Sequence, residues 1–403
     1  MAFPRCSCGG NSPVPAAPEF STKGGDSVET IGLYVHVPYC VSKCPYCDFY
    51  SLPAGEEGMD RYTQAVIRAL KDNPFGPRNA DTLYFGGGTP ILLGARRLGA
   101  ILEAASSQYG LSSGSEITLE ANPYSTLQGT LRELKAAGFN RVSFGLQSAI
   151  PSQLKILGRR HTAEDARTAV EDAFRAGFQN VSLDLMLGIP QQTAEDVETS
   201  IQFCADTGVQ HISAYLLKIE PGTPFAARYR EEDFDPDLQA DIYLRAVDRL
   251  ESLGYRQYEI SNFARPGFES RHNLKYWLLE PYLGVGPSAH SCLDGRRFYF
   301  PRDVESFSAA PSPFSLAVDD GPGGSLEEYL MLRLRLTQGV SLREAQIRYP
   351  QFDPAGFIRR ARPLEAGGFL WATEEGFALT PQGFLVSNEV IARLILSEST
   401  NCN

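Results

Sequence analysis

Ile31-Gly-Leu-Tyr-Val-His-Val37-Pro-Tyr-Cys40-Val-Ser-Lys-Cys44-Pro-Tyr-Cys47 decides how the rest of the chain is read. Its first half is a β-branched and aromatic run of strand character, and its second half sets three thiols within eight residues. Three thiolates at this spacing can wrap a loop around one soft metal centre. Zinc calls for a fourth Cys or His, usually from a second pair downstream, and no such pair follows. Three protein ligands with one open metal position fit a 4Fe–4S cluster, which thiolates ligate. Cys204 and Cys292 stand alone and read as buried small apolar residues, while Cys6, Cys8 and Cys402 read as non-ligands.

Working outward, the opening strand begins a rhythm. Strand-like runs recur at Ile31–Val37, Thr82–Phe85, Ile117–Glu120, Arg141–Leu146, Val181–Leu187 and Ile212–Leu217. Segments of helical period lie between them: Met59–Leu70, Leu98–Gln108, Leu127–Ala137, Ala163–Ala176 and Ala194–Ala205, with Leu238–Leu250 after the last. Strand, helix, strand at this spacing means a parallel sheet, and six or more units favour a barrel, full or partial, over an open doubly wound sheet; we read an α/β partial (β/α)6-type barrel over residues 29–300. A seventh unit is expected at Tyr255–Phe263. Residues 1–28 are rich in Gly, Pro, Ser and Ala and read as a flexible tail, or as sequence ahead of a later start. Residues 301–325 read as a Pro/Gly/Ser linker, and residues 326–403 as a small winged-helix-like α+β domain with a hairpin near Gly368–Leu379.

Composition narrows the class of function. The chain has 403 residues, 43% of them apolar and 21% charged, which is ordinary globular usage. A balance of 37 basic against 48 acidic residues gives a net charge of −11, which speaks against nucleic acid as partner and against an anionic membrane surface. No apolar run approaches the roughly 18 residues of a spanning helix. Sparse cysteines with one tight group point to a metal site in a reducing compartment, hence the cytoplasm.

In a parallel α/β fold the C-terminal strand ends carry the site. Here those ends hold the cysteine loop, Gly86-Gly-Gly-Thr-Pro90, Glu120-Ala-Asn-Pro123, Gln147-Ser148, Asp184 and Tyr215. A purely structural barrel has no need of such a set on one face. Taken singly, Glu120 could cap a helix, Arg159 could form a surface ion pair, and Asp184 could satisfy a loop amide. His36 reads equally as a core histidine or as support for the cysteine loop.

With Tyr46 in its aromatic slot, Cys40-x-x-x-Cys44-x-Tyr46-Cys47 resembles the signature of the radical S-adenosylmethionine (SAM) superfamily. The resemblance implies an open iron that chelates the amino and carboxylate groups of SAM. It also implies one-electron cleavage of the sulfonium to methionine and a 5′-deoxyadenosyl radical, with the protein binding the cofactor and excluding water and oxygen. Tyr34-Val-His-Val-Pro-Tyr-Cys40 and Asp184-Leu-Met-Leu-Gly-Ile-Pro190 are similar to the HemN-like branch, which holds oxygen-independent coproporphyrinogen dehydrogenase and the haem chaperones of the HemW group. The match runs from Ile31 to the C-terminus. It implies that Tyr34 touches SAM, that Gly87, Gly88 and Thr89 form the glycine motif, and that Glu120 meets the ribose hydroxyls. By the same resemblance Gln147, Arg159 and Asp184 belong to the SAM site, and Tyr215 walls the adenine pocket.

Two features separate the members of that branch. The dehydrogenase carries a fourth cysteine where this chain has Phe49, and the haem-chaperone group has Phe there. Arg271-His272-Asn273-Leu-Lys-Tyr276-Trp277 matches the His-Asn-x-x-Tyr-Trp motif linked in that group to haem binding. The resemblance therefore implies haem as cargo, apo-haemoproteins as clients and an external electron donor, and it leaves room for a homodimer and for membrane contact through clients. His272 is either an axial haem ligand or part of a packed loop over the barrel mouth. A coproporphyrinogen dehydrogenase, or a radical SAM enzyme on another substrate, is the alternative, and no residue is assigned a catalytic role.

Overall fold

A computed structural model describes residues 30–53, 55–123 and 127–395. Six parallel strands lie side by side in sequence order: β1 (Ile31–Val37), β2 (Ala80–Gly87), β3 (Glu116–Ala121), β4 (Arg141–Gln147), β5 (Asn180–Leu187) and β6 (His211–Leu216). A helix or helical pair connects each to the next. The first and last do not pair, so the barrel is partial. Two of the crossover helices start on the same device. Thr162 and Thr193 each accept a backbone N–H from an Asp three residues on, and each Asp carboxylate accepts the threonine's own N–H.

Both open edges are extended. Beyond β6 lies an antiparallel hairpin of β7 (Arg256–Glu259) and β8 (Asn262–Ala264). The expected seventh βα unit is thus a hairpin: only two residues separate its strands, too few for the crossover that parallel pairing requires. Beyond β1 lie β9 (Tyr282–Val285), parallel to it, and the antiparallel β10 (His290–Leu293), β11 (Arg296–Tyr299) and β12 (Val318–Pro322). Residues 301–325, expected as a linker, instead hold a helix at Val304–Ala309 and strand β12 hydrogen-bonded to β11. Prolines and glycines there mark the turns between these short elements.

The C-terminal unit begins with a helix at Leu326–Arg333. It continues through β13 (Val340–Ser341), helices Leu342–Arg348 and Pro354–Ala366, and the hairpin β14 (Leu370–Ala372) and β15 (Gly376–Leu379). The sheet order β13-β15-β14 is that of a winged helix. Residues 1–28 and Cys402 fall outside the described residues.

The barrel strands alternate with period two. Leu33, Val35, Leu83, Phe85, Leu119, Val142, Phe144 and Leu183 are fully buried and face the helices, where each contributes roughly 1.5–3 kcal/mol of burial. The positions between them are polar: Tyr34 and His36, Thr82 and Tyr84, Thr118 and Glu120, Arg141 and Ser143, Ser182 and Asp184, His211 and Ser213. The barrel interior is therefore a hydrogen-bonded lining, not a plug of aliphatic side chains.

Candidate metal and cofactor site

The cysteine loop leaves the C-terminal end of β1 and is pinned there by backbone. Cys40 N–H donates to Leu52 O (3.1 Å), and the glycine run of β2 reaches across, with Gly88 N–H on Val37 O (2.8 Å) and Thr89 N–H on Tyr39 O (2.7 Å). That approach explains the glycines. A Cβ on Gly88 would stand 2.6 Å from Tyr39 O, and one on Gly87, whose φ is +103°, would stand 2.6 Å from the His36 ring. Only glycine permits this backbone contact.

Cys40, Cys44 and Cys47 are half-buried free thiols on this loop. A ring of side chains joins them to the strand ends. Cys40 Sγ lies 3.4 Å from Thr89 Oγ1, and Thr89 Oγ1 accepts from Asn122 Nδ2 (2.9 Å). Asn122 Oδ1 accepts from Arg159 Nη2 (2.7 Å), and Arg159 Nη1 donates to Cys44 Sγ (3.5 Å). Arg159 also donates to Gly145 O (2.5 Å). Among the described residues no three Cys, His, Asp or Glu groups converge on a single metal ion. A cubane cluster does not ask for that, since each thiolate binds a separate iron. The donor set fits such a cluster: three thiols in one loop, open to the mouth, with a guanidinium donating to one sulfur. Phe49, on the same loop, is 65% exposed.

Below the loop, the interior layer holds the expected acidic residues. Glu120 accepts from Tyr84 OH (2.7 Å). Burial above all, with the neighbouring Asp184, pushes its carboxyl up to about 7, although Tyr84, Gly87 N–H and Arg141 pull the other way. Asp184 accepts from Ser143 Oγ (3.0 Å), and burial raises its pKa too. It sits in the middle of β5 and faces inward, not at the strand end. Tyr34 lines the same space, its hydroxyl donating to His36 Nδ1 (3.0 Å), because Nε2–H is committed to Tyr50 O (3.0 Å). Burial holds His36 down to about 4, so the ring is neutral. Gln147 ends β4 at φ +71°, a left-handed backbone rare for its type, and its amide shares with Arg159 the space that a Cβ on Gly145 would occupy. Tyr215 is 41% exposed at the end of β6, and Tyr46 is half-buried beside Cys44. The strands and the loops at their C-terminal ends thus bring Tyr34, Tyr46, Gly87, Gly88, Thr89, Glu120, Gln147, Arg159, Asp184 and Tyr215 around one mouth and interior.

His272 is elsewhere. Its helix, Arg271–Trp277, plugs the N-terminal ends of β1–β3, the end opposite the cysteine loop. Glu116 accepts the N–H groups of Arg271 (3.1 Å) and His272 (3.0 Å), and buried Lys275 pairs with Asp81 and Glu280 at 3.0 Å each. The imidazole is 1% exposed and stacked on Tyr84, with Nδ1 bonded to Thr82 Oγ1 (2.8 Å) and Nε2 to Tyr276 OH (2.7 Å). Both ring nitrogens are engaged within the fold, and the expected loop over the mouth is a packed helix at the opposite end of the barrel.

Asn122 is the site residue that sequence reading passed over. Its signal was parity: it lies two residues after Glu120, on the inward side of the same alternation. Cys204 and Cys292 are buried, as small apolar residues are.

A family model described as the radical SAM superfamily matches residues 34–204, and one described as the HemN C-terminal domain matches residues 325–386. The heme chaperone HemW of Mycobacterium tuberculosis is 33% identical over 383 residues, covering 91% of this chain and 95% of its own. The mouse (Mus musculus) protein named radical S-adenosyl methionine domain-containing protein 1, mitochondrial, is 35% identical, covering 90% and 87%. Among solved structures, coproporphyrinogen III oxidase (HemN) from Escherichia coli superposes with a TM-score of 0.77 at 20% identity, over 91% of this chain and 90% of its own. That last likeness speaks to fold. Among the described residues no helix is long and apolar enough to cross a membrane.

Proposed function

This chain belongs to the HemN-like branch of the radical SAM superfamily, with the HemW-type proteins, and from that premise we propose that it is a haem chaperone: it binds haem and passes it to apo-haemoproteins in the cytoplasm. One observation carries the reading. The identity to relatives named heme chaperone HemW runs through barrel and C-terminal domain together, over 95% of the M. tuberculosis protein. Phe49 supports it from the loop, where a fourth cysteine would mark the dehydrogenase.

Within this reading Cys40, Cys44 and Cys47 hold the 4Fe–4S cluster, and the backbone at Gly87, Gly88 and Thr89 lies against the SAM methionine. Glu120 faces the ribose, Asp184 lines the SAM site, Tyr34 and Tyr46 close the cofactor in, Gln147 and Arg159 order the mouth, and Tyr215 stands at the adenine. The cluster and SAM, when bound, supply one-electron chemistry at the mouth. The chain's own residues position them: Arg159 tethers Cys44, Thr89 tethers Cys40, and burial keeps Glu120 largely protonated below its pKa of about 7. An external electron donor, a homodimer and membrane contact through clients accompany the reading as subsidiary proposals, and nucleic acid has no part in it.

The test sets haem binding against porphyrinogen turnover. Anaerobically reconstituted protein is titrated with haem, and separately incubated with coproporphyrinogen III, SAM and a reductant. We expect a saturable Soret band and no protoporphyrinogen above a cluster-free control. Protoporphyrinogen well above that control overturns the chaperone reading.

A further inference from the structure

If haem is carried, some side chain must meet its iron, and the chain has five histidines. Four are buried. His36 is held between Tyr34 and Tyr50, and His161 donates Nε2–H to Leu146 O (3.0 Å). His211 is bonded at Nδ1 to Ser182 and at Nε2 to Tyr258, and His272 at Nδ1 to Thr82 and at Nε2 to Tyr276. His290, the fifth, is exposed, and among the described residues no hydrogen bond holds its ring.

The sheet register says where that ring points. Tyr34 on β1 pairs with Gly284 on β9. On β10, Cys292 pairs with Tyr282, which sets His290 opposite Gly284, and His290 pairs in turn with Tyr299 on β11, which pairs with Val318 on β12. Directly paired residues share a face. Val318, Tyr299, His290, Gly284 and Tyr34 therefore form one row on the concave face that continues into the barrel interior. The His290 ring stacks on Tyr299, with centroids 5.2 Å apart and planes 25° apart. At Gly284 the row is closed by backbone: a Cβ there would strike the His290 carbonyl, so only glycine lets β10 lie this close to β9.

The surroundings suit an anionic porphyrin. Arg302 is largely exposed and bridges to Asp48 (3.2 Å), the residue after Cys47, which brings this face beside the cysteine loop. Arg297 lies on the same face of β11 and pairs with Glu328. Partial burial and the two guanidiniums hold His290 below the ordinary histidine value, against the pull of Asp320, so the ring stays neutral and keeps a lone pair.

We propose that His290, and not His272, is the axial ligand of a haem bound on this concave face, with Tyr299 as the platform behind the imidazole and Arg302 facing the propionates. The assignment rests on the haem-chaperone reading. The imidazole gives a lone pair to iron, and no proton or electron moves.

The experiment titrates ferric haem into the full chain and follows the Soret band. His290→Ala should weaken binding at least about tenfold, about 1.4 kcal/mol, and shift the band. His290→Gly should recover the wild-type band on addition of free imidazole, which a merely structural role would not allow. Tyr276→Phe, which frees the His272 nitrogen, should bind haem as wild type does. If wild type binds and His290→Ala binds equally with the same spectrum, this assignment fails alone. If wild type shows no saturable binding, the chaperone reading fails and takes this assignment with it.

Discussion

Asn122 joins the two halves of the cysteine loop through its neighbours. Through Thr89 it reaches Cys40, and through Arg159 it reaches Cys44, with both bonds made by one carboxamide that donates on one side and accepts on the other. No apolar residue of similar size offers that pair of roles. We expect Asn122→Ala to retain the cluster after anaerobic reconstitution but to broaden or shift its electron paramagnetic resonance signal, because two cysteines lose their shared brace. Replacing Cys40, Cys44 and Cys47 with Ala should remove the bound iron, while Cys204→Ala should not. About four irons per chain on the triple variant would overturn the cluster assignment, and an Asn122→Ala spectrum identical to wild type would remove Asn122 from the positioning role. Much of this site was legible, because the cysteine spacing and strand-end residues are local signals. Asn122 and the position of His272 were not, since both depend on which strand lies opposite.

Elements differ in how plainly the sequence announces them. The crossover helices at Ala163 and Ala194 begin where the Thr-Ala-Glu-Asp runs place them, because the cap is made of consecutive residues. The hairpin of β7 and β8 and the strand β12 were misread, because their partners, β6 and β11, lie far off in sequence or across a turn-rich segment. Glycine shows the same split. Gly99 lies in the helix Gly94–Tyr109, where an added Cβ would come no nearer than 3.8 Å to Ala137. Gly99→Ala should therefore stabilise the fold by about 0.5–1 kcal/mol through helix propensity. Gly88→Ala drives a Cβ into backbone at Tyr39 and Val37, so it should destabilise the chain and lower cluster occupancy. Thermal unfolding of the two variants checks the contrast. A Gly88→Ala protein with wild-type melting temperature and iron content would show that the glycine run is not needed for this strand-to-loop contact.

At the scale of the molecule, a polar barrel interior makes stability a matter of protons. His36, His161 and His272 are held at about 4, 4 and 3, and His211 well below its ordinary value, all chiefly by burial. Each takes up a proton on unfolding once the pH falls below 6.5, so their contribution is intact above that value and is lost as the pH drops towards the folded values. Glu120 and Glu259 are raised from 4.5 to about 7, and Asp184 is raised as well, again chiefly by burial. These carboxyls release a proton on unfolding in the same range, so they favour the fold at acid pH and lose that contribution as the pH rises towards 7. Between pH 4.5 and 6.5 the histidines therefore oppose the carboxyls. Glu120→Gln removes one carboxyl from the balance. Its stability should fall more steeply than wild type on acidification, with the two curves diverging by up to about 1.4 kcal/mol per pH unit, the value of one proton. Denaturant unfolding of the cluster-free chain at pH 7, 6 and 5 reads the difference directly. Parallel curves would mean that Glu120 ionises in the fold at an ordinary carboxylate pH, and that the interior is wetter than its hydrogen bonds imply.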